Sequence, residues 1–453
     1  MQIILIGGGE VGYALAKSLE SHNEVSVVDS NPAQADRFNS LDVEFDVGSG
    51  TSSELLRRIH AETSEFVIAC TGSDEVNIVA CSLASQLGAR QTICFVSSND
   101  FLQDAETSEG LRKNFGIGRI VWPEAQLAAA IERIIMAPGA IDAEAFAGGE
   151  IRLLEYRLED RSPLANCTVA NANLPTGVII AAVKHNDVTS VPHGYTRLTS
   201  GDKVVLMGAR KAMETLQARV FPKTVTSKQI HMPKLVTIIG GGDVGFNLAQ
   251  HLEKAPGIQL RLIERDQRRA QMLASALNRA LILSGDGTDL ELLQAEEIGS
   301  SEVVVSVIDN DERNLLASLL VRQLGVGKII TRVSKTSNHK LFERVGIDVA
   351  LSAKGAAVAS IVHQITGGKD NLLAVLEEGQ AKVIELTVPS NYEQKALRSL
   401  KVPSDSIVGT ILRNHEVIVP SGNDKVNPGD RLLVCCTESS EHLVRELFTT
   451  KRT

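Results

Sequence analysis

The same ten-residue pattern occurs twice in this 453-residue chain, as IILIGGGEVG at residues 3–12 and VTIIGGGDVG at residues 236–245. In each copy a short apolar run leads into G-x-G-x-x-G, and a helix-like stretch follows. The pattern constrains the fold, because the glycines allow a tight turn and a close approach of the helix to the strand. One copy is a weak signal, but two copies in matching contexts indicate an internal duplication.

The duplication extends beyond the glycines. The two fingerprints lie 233 residues apart, and the pairs Asn77/Asn314 and Thr51/Thr288 both lie 237 residues apart. Small loop insertions, such as the one around residues 255–257, account for the change in offset. The chain is therefore two related halves joined end to end.

Each half begins with apolar runs that alternate with helix-length segments. This rhythm predicts βαβ units and a parallel sheet, and hence an α/β fold with two Rossmann-like, doubly wound domains. The predicted strands of the first half are residues 3–6, 25–28, 43–47, 66–69 and 92–96. Those of the second half are residues 235–239, 260–263, 280–283, 303–307 and 328–333.

After each Rossmann-like domain the sequence predicts one long helix and then a small β-rich unit. The helices, at residues 123–136 and 354–366, have apolar faces suited to docking on a neighbouring domain or to packing on their own. The predicted domains are 1–122, 123–222, 233–353 and 354–453, where the second and fourth combine the helix with an α+β unit. A polar linker is expected at residues 221–233.

Composition excludes several classes of function. The net charge of −9 argues against nucleic acid as a partner, because there is no basic excess to neutralise phosphates. No apolar run of about eighteen residues is present, so no segment is predicted to span a membrane. The six cysteines form no C-x-x-C pair, which predicts buried thiols in a reducing cytoplasm and no metal site.

The fingerprints predict two nucleotide sites. The glycines (Gly7, Gly9, Gly12; Gly240, Gly242, Gly245) and the first helical residues (Glu10, Val11; Asp243, Val244) would face phosphate. Asp29 and Glu264 end the second strands and are predicted to bind ribose hydroxyls, which favours NAD or another adenine nucleotide over NADP. The structural alternative is a glycine turn that binds no ligand.

Loops after the third and fourth strands supply further candidates at the ligand-binding edge of each sheet. They are Gly50, Thr51, Thr71 and Asp74 in the first half, and Asp286, Thr288, Ile308 and Asp311 in the second. Asp74 and Asp311 have an ordinary alternative role as helix caps. These loops complete the predicted sites.

The duplicated fingerprint, the strand-ending acid, the run Asp-Asn-Asp-Glu-Arg-Asn at 309–314 and the β-rich unit after each half closely resemble a known family. This family is the cytosolic regulatory subunits of bacterial Trk potassium uptake systems, built from RCK (KTN) domains. The resemblance covers essentially the whole chain. It adds Arg332, on the fifth strand, to the second site, whereas the first half has Phe95 there and Ser49 in place of the turn aspartate.

The resemblance implies a cytoplasmic protein that binds NAD(H), with ATP or ADP as an alternative. The protein would lie on the cytoplasmic face of the inner membrane and gate a Trk-type potassium-translocating subunit. Two lobes per chain imply a homo-oligomer, either a dimer or a tetramer. The alternatives are the regulatory subunit of a potassium efflux antiporter and a soluble NAD-dependent oxidoreductase. No acid/base set recurs in the two halves, so catalysis is not expected.

Overall fold

The computed structural model describes residues 1–98, 101, 105–186, 188–220, 235–335, 338–369, 372–376, 380–414 and 416–449. The strands of the first Rossmann-like domain are β1 (Gln2–Ile6), β2 (Glu24–Asp29), β3 (Glu44–Val47), β4 (Phe66–Ala69), β5 (Gln91–Phe95) and β6 (Arg119–Val121). Its helices are α1 (Glu10–Leu19), α2 (Ala35–Phe38), α3 (Ser53–Arg58), α4 (Asp74–Leu87) and α5 (Ala105–Phe115), and α6 (Pro123–Ile135) follows. The strands form one parallel sheet in the order β3-β2-β1-β4-β5-β6.

The first β-rich domain is an antiparallel sheet with a short hairpin and a terminal helix. Its elements are β7 (Asp142–Phe146), β8 (Ile151–Arg157), β9 (Cys167–Thr168), β10 (Val178–His185), β11 (Val188–Ser190), β12 (Arg197–Leu198), β13 (Lys203–Ala209) and α7 (Arg210–Val220). The main sheet has the order β11-β10-β13-β8-β7, and β12 pairs with β9. The linker predicted at residues 221–233 lies outside the described residues.

The second half repeats this architecture. The strands of its Rossmann-like domain are β14 (Leu235–Ile239), β15 (Gln259–Glu264), β16 (Ala280–Ser284), β17 (Val303–Ser306), β18 (Lys328–Arg332) and β19 (Val349–Leu351). The helices are α8 (Asp243–Glu253), α9 (Gln267–Ala276), α10 (Leu290–Ala295), α11 (Asp311–Gln323), α12 (His339–Arg344) and α13 (Ala353–Lys369). The sheet order β16-β15-β14-β17-β18-β19 is that of the first half.

The last domain matches the first β-rich domain strand for strand. Its elements are β20 (Leu372–Leu376), β21 (Ala381–Thr387), β22 (Lys395–Ala396), β23 (Ser406–Arg413), β24 (Glu416–Ile418), β25 (Lys425–Val426), β26 (Arg431–Thr437) and α14 (Glu438–Thr449). The main sheet runs β20-β21-β26-β23-β24, and β22 pairs with β25. The predicted fold class is therefore confirmed: two Rossmann-like domains, each followed by a small β-rich α+β domain.

The central strands are apolar on both faces because helices cover both sides of a parallel sheet. Ile3, Ile4 and Leu5 in β1 are wholly buried. A sixth parallel strand at the edge of each sheet was not predicted. Each of these strands, β6 and β19, has three residues, which is too short for a hydrophobic period to be recognised.

Helices α6 and α13 are exchanged between the halves. The apolar face of α6, including Leu127 and Ile131, shares a buried core with Leu248 of α8 in the second Rossmann-like domain. Reciprocally, Ile361 of α13 shares a core with Leu15 of α1 in the first. Of the two predicted alternatives, docking on a neighbouring domain is therefore the one the structure shows. Separation of the halves would expose aliphatic side chains worth about 1.5–3 kcal/mol each.

The two β-rich domains also pack against each other through their sheets. Leu153 and Met207 of the first sheet share a core with Val383 and Leu433 of the second. The approach is so close that a Cβ at Gly409 would lie 2.5 Å from the Met207 sulfur. The two halves thus contact each other in two places, where the exchanged helices pack on the Rossmann-like domains and where the β-rich sheets pack together.

A buried lysine fastens the end of the exchanged helix α6. Lys328, the first residue of β18, donates from Nζ to the carbonyl oxygens of Ile134 (3.0 Å) and Ala140 (2.7 Å). These carbonyls lie at and just beyond the C-terminus of α6, where a cation is favourable. Burial lowers the pKa of Lys328 from 10.5 to about 8, although Asp348 opposes this shift.

We expect Lys328 to make the free energy of unfolding depend on pH in the alkaline range. The folded-state pKa lies below the unfolded value, so between pH 8 and 10.5 the unfolded chain holds this proton more firmly. The wild type should therefore gain stability relative to Lys328→Met as pH rises through this window, by up to about 1.4 kcal/mol per pH unit. Urea unfolding of both proteins at pH 7.5, 8.5 and 9.5 measures the difference. Exposed Lys254→Met is the control, and a pH-independent difference for Lys328→Met would contradict the assignment.

Candidate ligand sites at the two glycine loops

The first and third glycines of each fingerprint are required by the backbone itself. Gly7 and Gly240 have φ of +114° and +107°, in the left-handed region that favours glycine. A Cβ at Gly12 or Gly245 would lie 1.9 Å from the carbonyl oxygen of Gly7 or Gly240. These four glycines therefore shape the loop whether or not a ligand binds.

The middle glycines are different, because the fold does not need them. Gly9 and Gly242 are the N-caps of α1 and α8, with ordinary φ values of −71° and −66°. A Cβ at either position would meet nothing within 4 Å. The open space lies at a helix N-terminus, where free N–H groups and the helix dipole favour an anion. An empty cradle of this kind fits a phosphate group.

The strand-ending acids hold the glycine loops. The N–H groups of Gly8 and Asn31 donate to the two carboxylate oxygens of Asp29, at 2.6 and 2.7 Å. Glu264 accepts in the same way from the N–H groups of Gly241 and Asp266, both at 2.7 Å. Each oxygen has accepted one hydrogen bond and retains capacity for a hydroxyl group. Both acids are therefore fixed beside their loops as acceptors.

The second loop opens into a cavity of about 350 Å³. Seven of the predicted residues line it, namely Gly240, Gly242, Asp243, Val244, Glu264, Ile308 and Arg332. Gly245, Asp286, Thr288 and Asp311 are not in its lining. The structure thus brings together the glycine loop, the strand-ending acid and the arginine of β18, and places the other candidates around them.

Asp286 supports the wall of this cavity. Its Oδ1 accepts from Thr288 N (2.9 Å), Thr288 Oγ1 (2.7 Å) and Arg313 Nη2 (2.6 Å). Burial opposes ionisation, but these hydrogen bonds prevail and hold the pKa of Asp286 below its ordinary value. In the first half Ser49 bonds Thr51 at 2.8 Å instead, so the turn is kept without the charge.

The glycine that follows the turn residue is required in both halves. A Cβ at Gly50 or Gly287 would lie 2.1 Å from the Cγ2 atom of Ile6 or Ile239 in the central strand. This turn therefore lies directly against the end of the first strand, beside the glycine loop.

Asp74 and Asp311 each accept hydrogen bonds from the loop that follows the fifth strand of their domain. Asp74 accepts from the N–H groups of Ser97 and Ser98, the latter at 2.7 Å. Asp311 accepts from Ser334 N at 2.8 Å, and hydrogen bonds including this one hold its pKa below the ordinary value despite burial. The caps of the corresponding helices are Ser73 and Asn310, one residue earlier in each case. Both aspartates therefore join the fourth helix to the loop after the fifth strand.

Two buried asparagines hold the loops after the fourth strands. Asn314 Oδ1 accepts from Ile308 N (2.8 Å), and its Nδ2 donates to the carbonyl oxygens of Ile308 (2.7 Å) and Arg332 (3.0 Å). Asn77 makes the corresponding bonds to Thr71 and Phe95. Both side chains are wholly buried. In the sequence this pair marks the duplication, but its role in holding the loops was not predicted.

A carboxyl group from the first half enters the cavity of the second. Glu124, the second residue of the exchanged helix α6, lines the cavity together with Arg332. Burial raises the pKa of Glu124, and Arg332 partly opposes this. Glu124 Oε2 and Arg332 Nε are buried, and neither has a hydrogen-bond partner among the described residues. Arg332 pairs through Nη2 with Asp309 Oδ1 at 3.0 Å. Unsatisfied buried polar atoms are costly, so Glu124 Oε2 and Arg332 Nε fit a cavity that holds a polar ligand.

Glu124 and Arg313 were not predicted as site residues, for different reasons. Glu124 precedes the second fingerprint by more than a hundred residues, and no local pattern connects them. Arg313 stands within the quoted run 309–314, two residues after Asp311, and its position in the first turn of a helix at the sheet edge was an available signal.

No group of three or more His, Cys, Asp or Glu side chains is arranged to hold a metal ion within the described residues. None of the helices described is long and apolar enough to cross a membrane.

This geometry defines a class of protein, a duplicated Rossmann-like protein with a composite polar site at its glycine loop. The TrkA-N domain family matches residues 3–121 and 236–353, and the TrkA-C domain family matches residues 153–220 and 383–449. The chain is similar to "Trk system potassium uptake protein TrkA homolog 1" of Methanosarcina mazei, at 36% identity over 99% of this chain and 100% of the relative. It belongs to the TrkA family.

Solved structures with the same fold include RCK-containing proteins. The GsuK channel bound to NAD matches with a TM-score of 0.59 and 20% identity, over 99% of this chain and 79% of that chain. The GsuK RCK domain matches with a TM-score of 0.58 and 20% identity, over 99% of this chain and 95% of that chain. At this identity the likeness establishes the fold.

The second fingerprint allows a test of which glycines the backbone requires and which it does not. We expect Gly242→Ala to change the melting temperature little, because its Cβ meets open space. Gly245→Ala forces a Cβ onto the Gly240 carbonyl oxygen and should destabilise the second Rossmann-like domain by several kcal/mol. Differential scanning calorimetry without added ligand compares the two variants. An equal decrease in melting temperature for the two variants would show that the open space at Gly242 is not available to a side chain.

Proposed function

We propose that this protein is the nucleotide-binding regulatory subunit of a membrane potassium uptake system, with NAD(H) as its ligand and ATP or ADP as the alternative. The observation that carries the proposal is the open space at Gly9 and Gly242. Both glycines lie at helix N-termini without a role in the backbone, and Gly242 faces a cavity with unsatisfied polar atoms. The name of the Methanosarcina mazei relative supports the link to potassium uptake.

Ligand preference follows from the acids at the strand ends. Asp29 and Glu264 are fixed beside the glycine loops with acceptor capacity left for ribose hydroxyls. A 2′-phosphate at the same place would meet a carboxylate, so NADPH should bind more weakly than NADH. The site residues proposed to contact the nucleotide are those that line the cavity, and Asp286, Thr288, Asp74 and Asp311 act through the loops that they hold.

A regulatory role is favoured over catalysis by what surrounds the cavity. His185 hydrogen-bonds Asp202 at a turn of the first β-rich domain, and His193 stacks on Tyr195. Neither residue lines the cavity. His415 lies outside the described residues. The composite site instead joins two halves, so ligand binding can change how they dock, provided that the ligand prefers one arrangement.

The main test combines binding with transport. We expect NADH to raise the melting temperature of the purified full-length protein, and the double variant Gly9→Val/Gly242→Val to lose this response while keeping its unliganded stability. In liposomes that contain a Trk-type membrane subunit, potassium flux should depend on nucleotide with the wild type and not with the double variant.

The controls separate the candidate functions. NADPH tests the exclusion of a 2′-phosphate, and ATP and ADP test the alternative ligands. Conversion of NADH to NAD with a substrate panel would instead indicate an oxidoreductase. The proposal fails if none of these nucleotides raises the melting temperature of the wild type.

Assembly with further copies is supported by exposed apolar residues that recur in both halves. Leu316, Leu341 and Val345 on and beside α11 and α12 are 47%, 49% and 39% exposed. In the first half Val79 and Phe115 occupy the positions of Leu316 and Val345 and are 43% and 41% exposed. Because the same face occurs twice per chain, two chains can close a ring of four lobes through it. We propose that a second copy covers these faces.

Charge substitution tests this assembly. Leu316→Asp combined with Leu341→Asp should reduce the molar mass measured by light scattering to that of a smaller species. Met272→Asp is the matched control, since Met272 is 60% exposed on α9 and lies outside the proposed face. The proposed face is wrong if the double variant and the control have the same mass as the wild type.

A further inference from the structure

Each exchanged helix delivers its second residue to the glycine loop of the other half. Glu124 of α6 lines the second cavity. The equivalent residue of α13 is Lys354, and its Nζ lies 2.7 Å from Oε2 of Glu10, the first residue of α1 after the first glycine loop. The second residue is therefore a carboxylic acid at one site and a lysine at the other.

The change from an acid (Glu124) to a lysine (Lys354) is accompanied by a second difference, because the first site lacks the arginines that line the second cavity. Sixteen residues line the second cavity, and three of them are arginines. At the equivalent positions of the first half the arginines Arg265, Arg313 and Arg332 are replaced by Ser30, Val76 and Phe95. Phe95 is buried. Fifteen first-half residues and Lys354 correspond in this way to the sixteen lining residues, and Lys354 is the one cation among them.

The lysine restores the charge balance that the first site would otherwise lack. The second cavity has three arginines against the four carboxyl groups of Glu124, Asp243, Glu264 and Asp309, a formal charge of −1. The equivalent first-half set has Lys354 against Glu10 and Asp29, which is also −1. Without Lys354 these matched positions would present two carboxylates and no cation to an anionic ligand.

Lys354 is held loosely enough to change partners. Its side chain is 55% exposed and that of Glu10 is 46% exposed. An ion pair so exposed contributes little to stability, and a phosphate group readily outweighs it. Glu10 begins α1 beside the open space at Gly9, so the ammonium group already lies at the edge of the phosphate cradle. A flexible lysine acts there as a mobile point charge.

On the basis of the proposed nucleotide binding, we propose that Lys354, supplied by the second half of the chain, is the phosphate-binding cation of the first site. On ligand binding its ammonium group leaves Glu10 and pairs with the phosphates. The first site is thus a full composite site whose cation comes from the other half. Occupancy also tightens the docking of α13 on the first Rossmann-like domain.

The test is a titration of the full-length Gly242→Val variant, whose second site is blocked, with NADH and with adenosine by calorimetry. We expect Lys354→Gln to weaken NADH binding about tenfold or more and to leave any adenosine binding unchanged, because adenosine has no phosphate. Lys17→Gln, which removes a lysine from the exposed far end of α1, should have no effect.

Glu10→Gln distinguishes a ligand role from a structural one. It frees Lys354 and removes a negative charge beside the phosphates, so NADH should bind more tightly. If the ion pair served only to dock α13, Glu10→Gln and Lys354→Gln would weaken binding equally, and that result would overturn the proposal. So would unchanged NADH affinity in Lys354→Gln. Absence of NADH binding to the Gly242→Val parent would instead overturn nucleotide binding at the first site, and the lysine's role with it.

Discussion

The exchange of helices α6 and α13 is the constraint on which the remaining structure depends. Each helix leaves its own Rossmann-like domain and buries its apolar face on the other, where Ile131 and Ile361 are wholly buried. The β-rich domain that follows each helix in the chain is connected directly to it, so the position of the helix determines where that domain begins. As a result, the ligand sites, the docking of the halves and the contact between the β-rich sheets cannot vary independently.

This arrangement gives a physical route from a ligand to the far side of the molecule. Glu124 enters the second cavity at the N-terminus of α6, and Lys328 holds the carbonyl groups at its other end. Lys328 and Arg332 are the two ends of the same strand, so α6 has a residue of β18 near each of its ends, hydrogen-bonded at the Lys328 end and across the cavity from Glu124 at the Arg332 end. A ligand that contacts Glu124 would act on a helix that is fixed to the second domain and continuous with the first β-rich domain. Such coupling requires two docking arrangements with different ligand affinity.

The sequence predicted the features that depend on local pattern. The glycine turns, the buried strands and the acids at the strand ends each have a periodicity or spacing that one segment reveals. The contribution of Glu124 to a site far along the chain has no such signal, because it depends on which domain the helix docks against. The short strands β6 and β19 were missed for lack of length. Asn77 and Asn314 repeated in register, but only the fold shows that their amides hold the loops.

Fusion of the two halves in one chain permits an asymmetry that two identical subunits would lack. In a symmetric pair of identical halves, the residue at the start of the exchanged helix would be the same at both sites. Here it is Glu124 at one site and Lys354 at the other, and the arginines differ in the compensating direction. The matched residues of the two sites have the same formal charge, but their cations lie on different elements. At the second site the arginines belong to the second Rossmann-like domain itself, and at the first site the lysine belongs to the exchanged helix α13. With nucleotide bound as proposed, a ligand at the first site would pull on α13 through Lys354, whereas a ligand at the second site would be held by arginines of the second Rossmann-like domain itself.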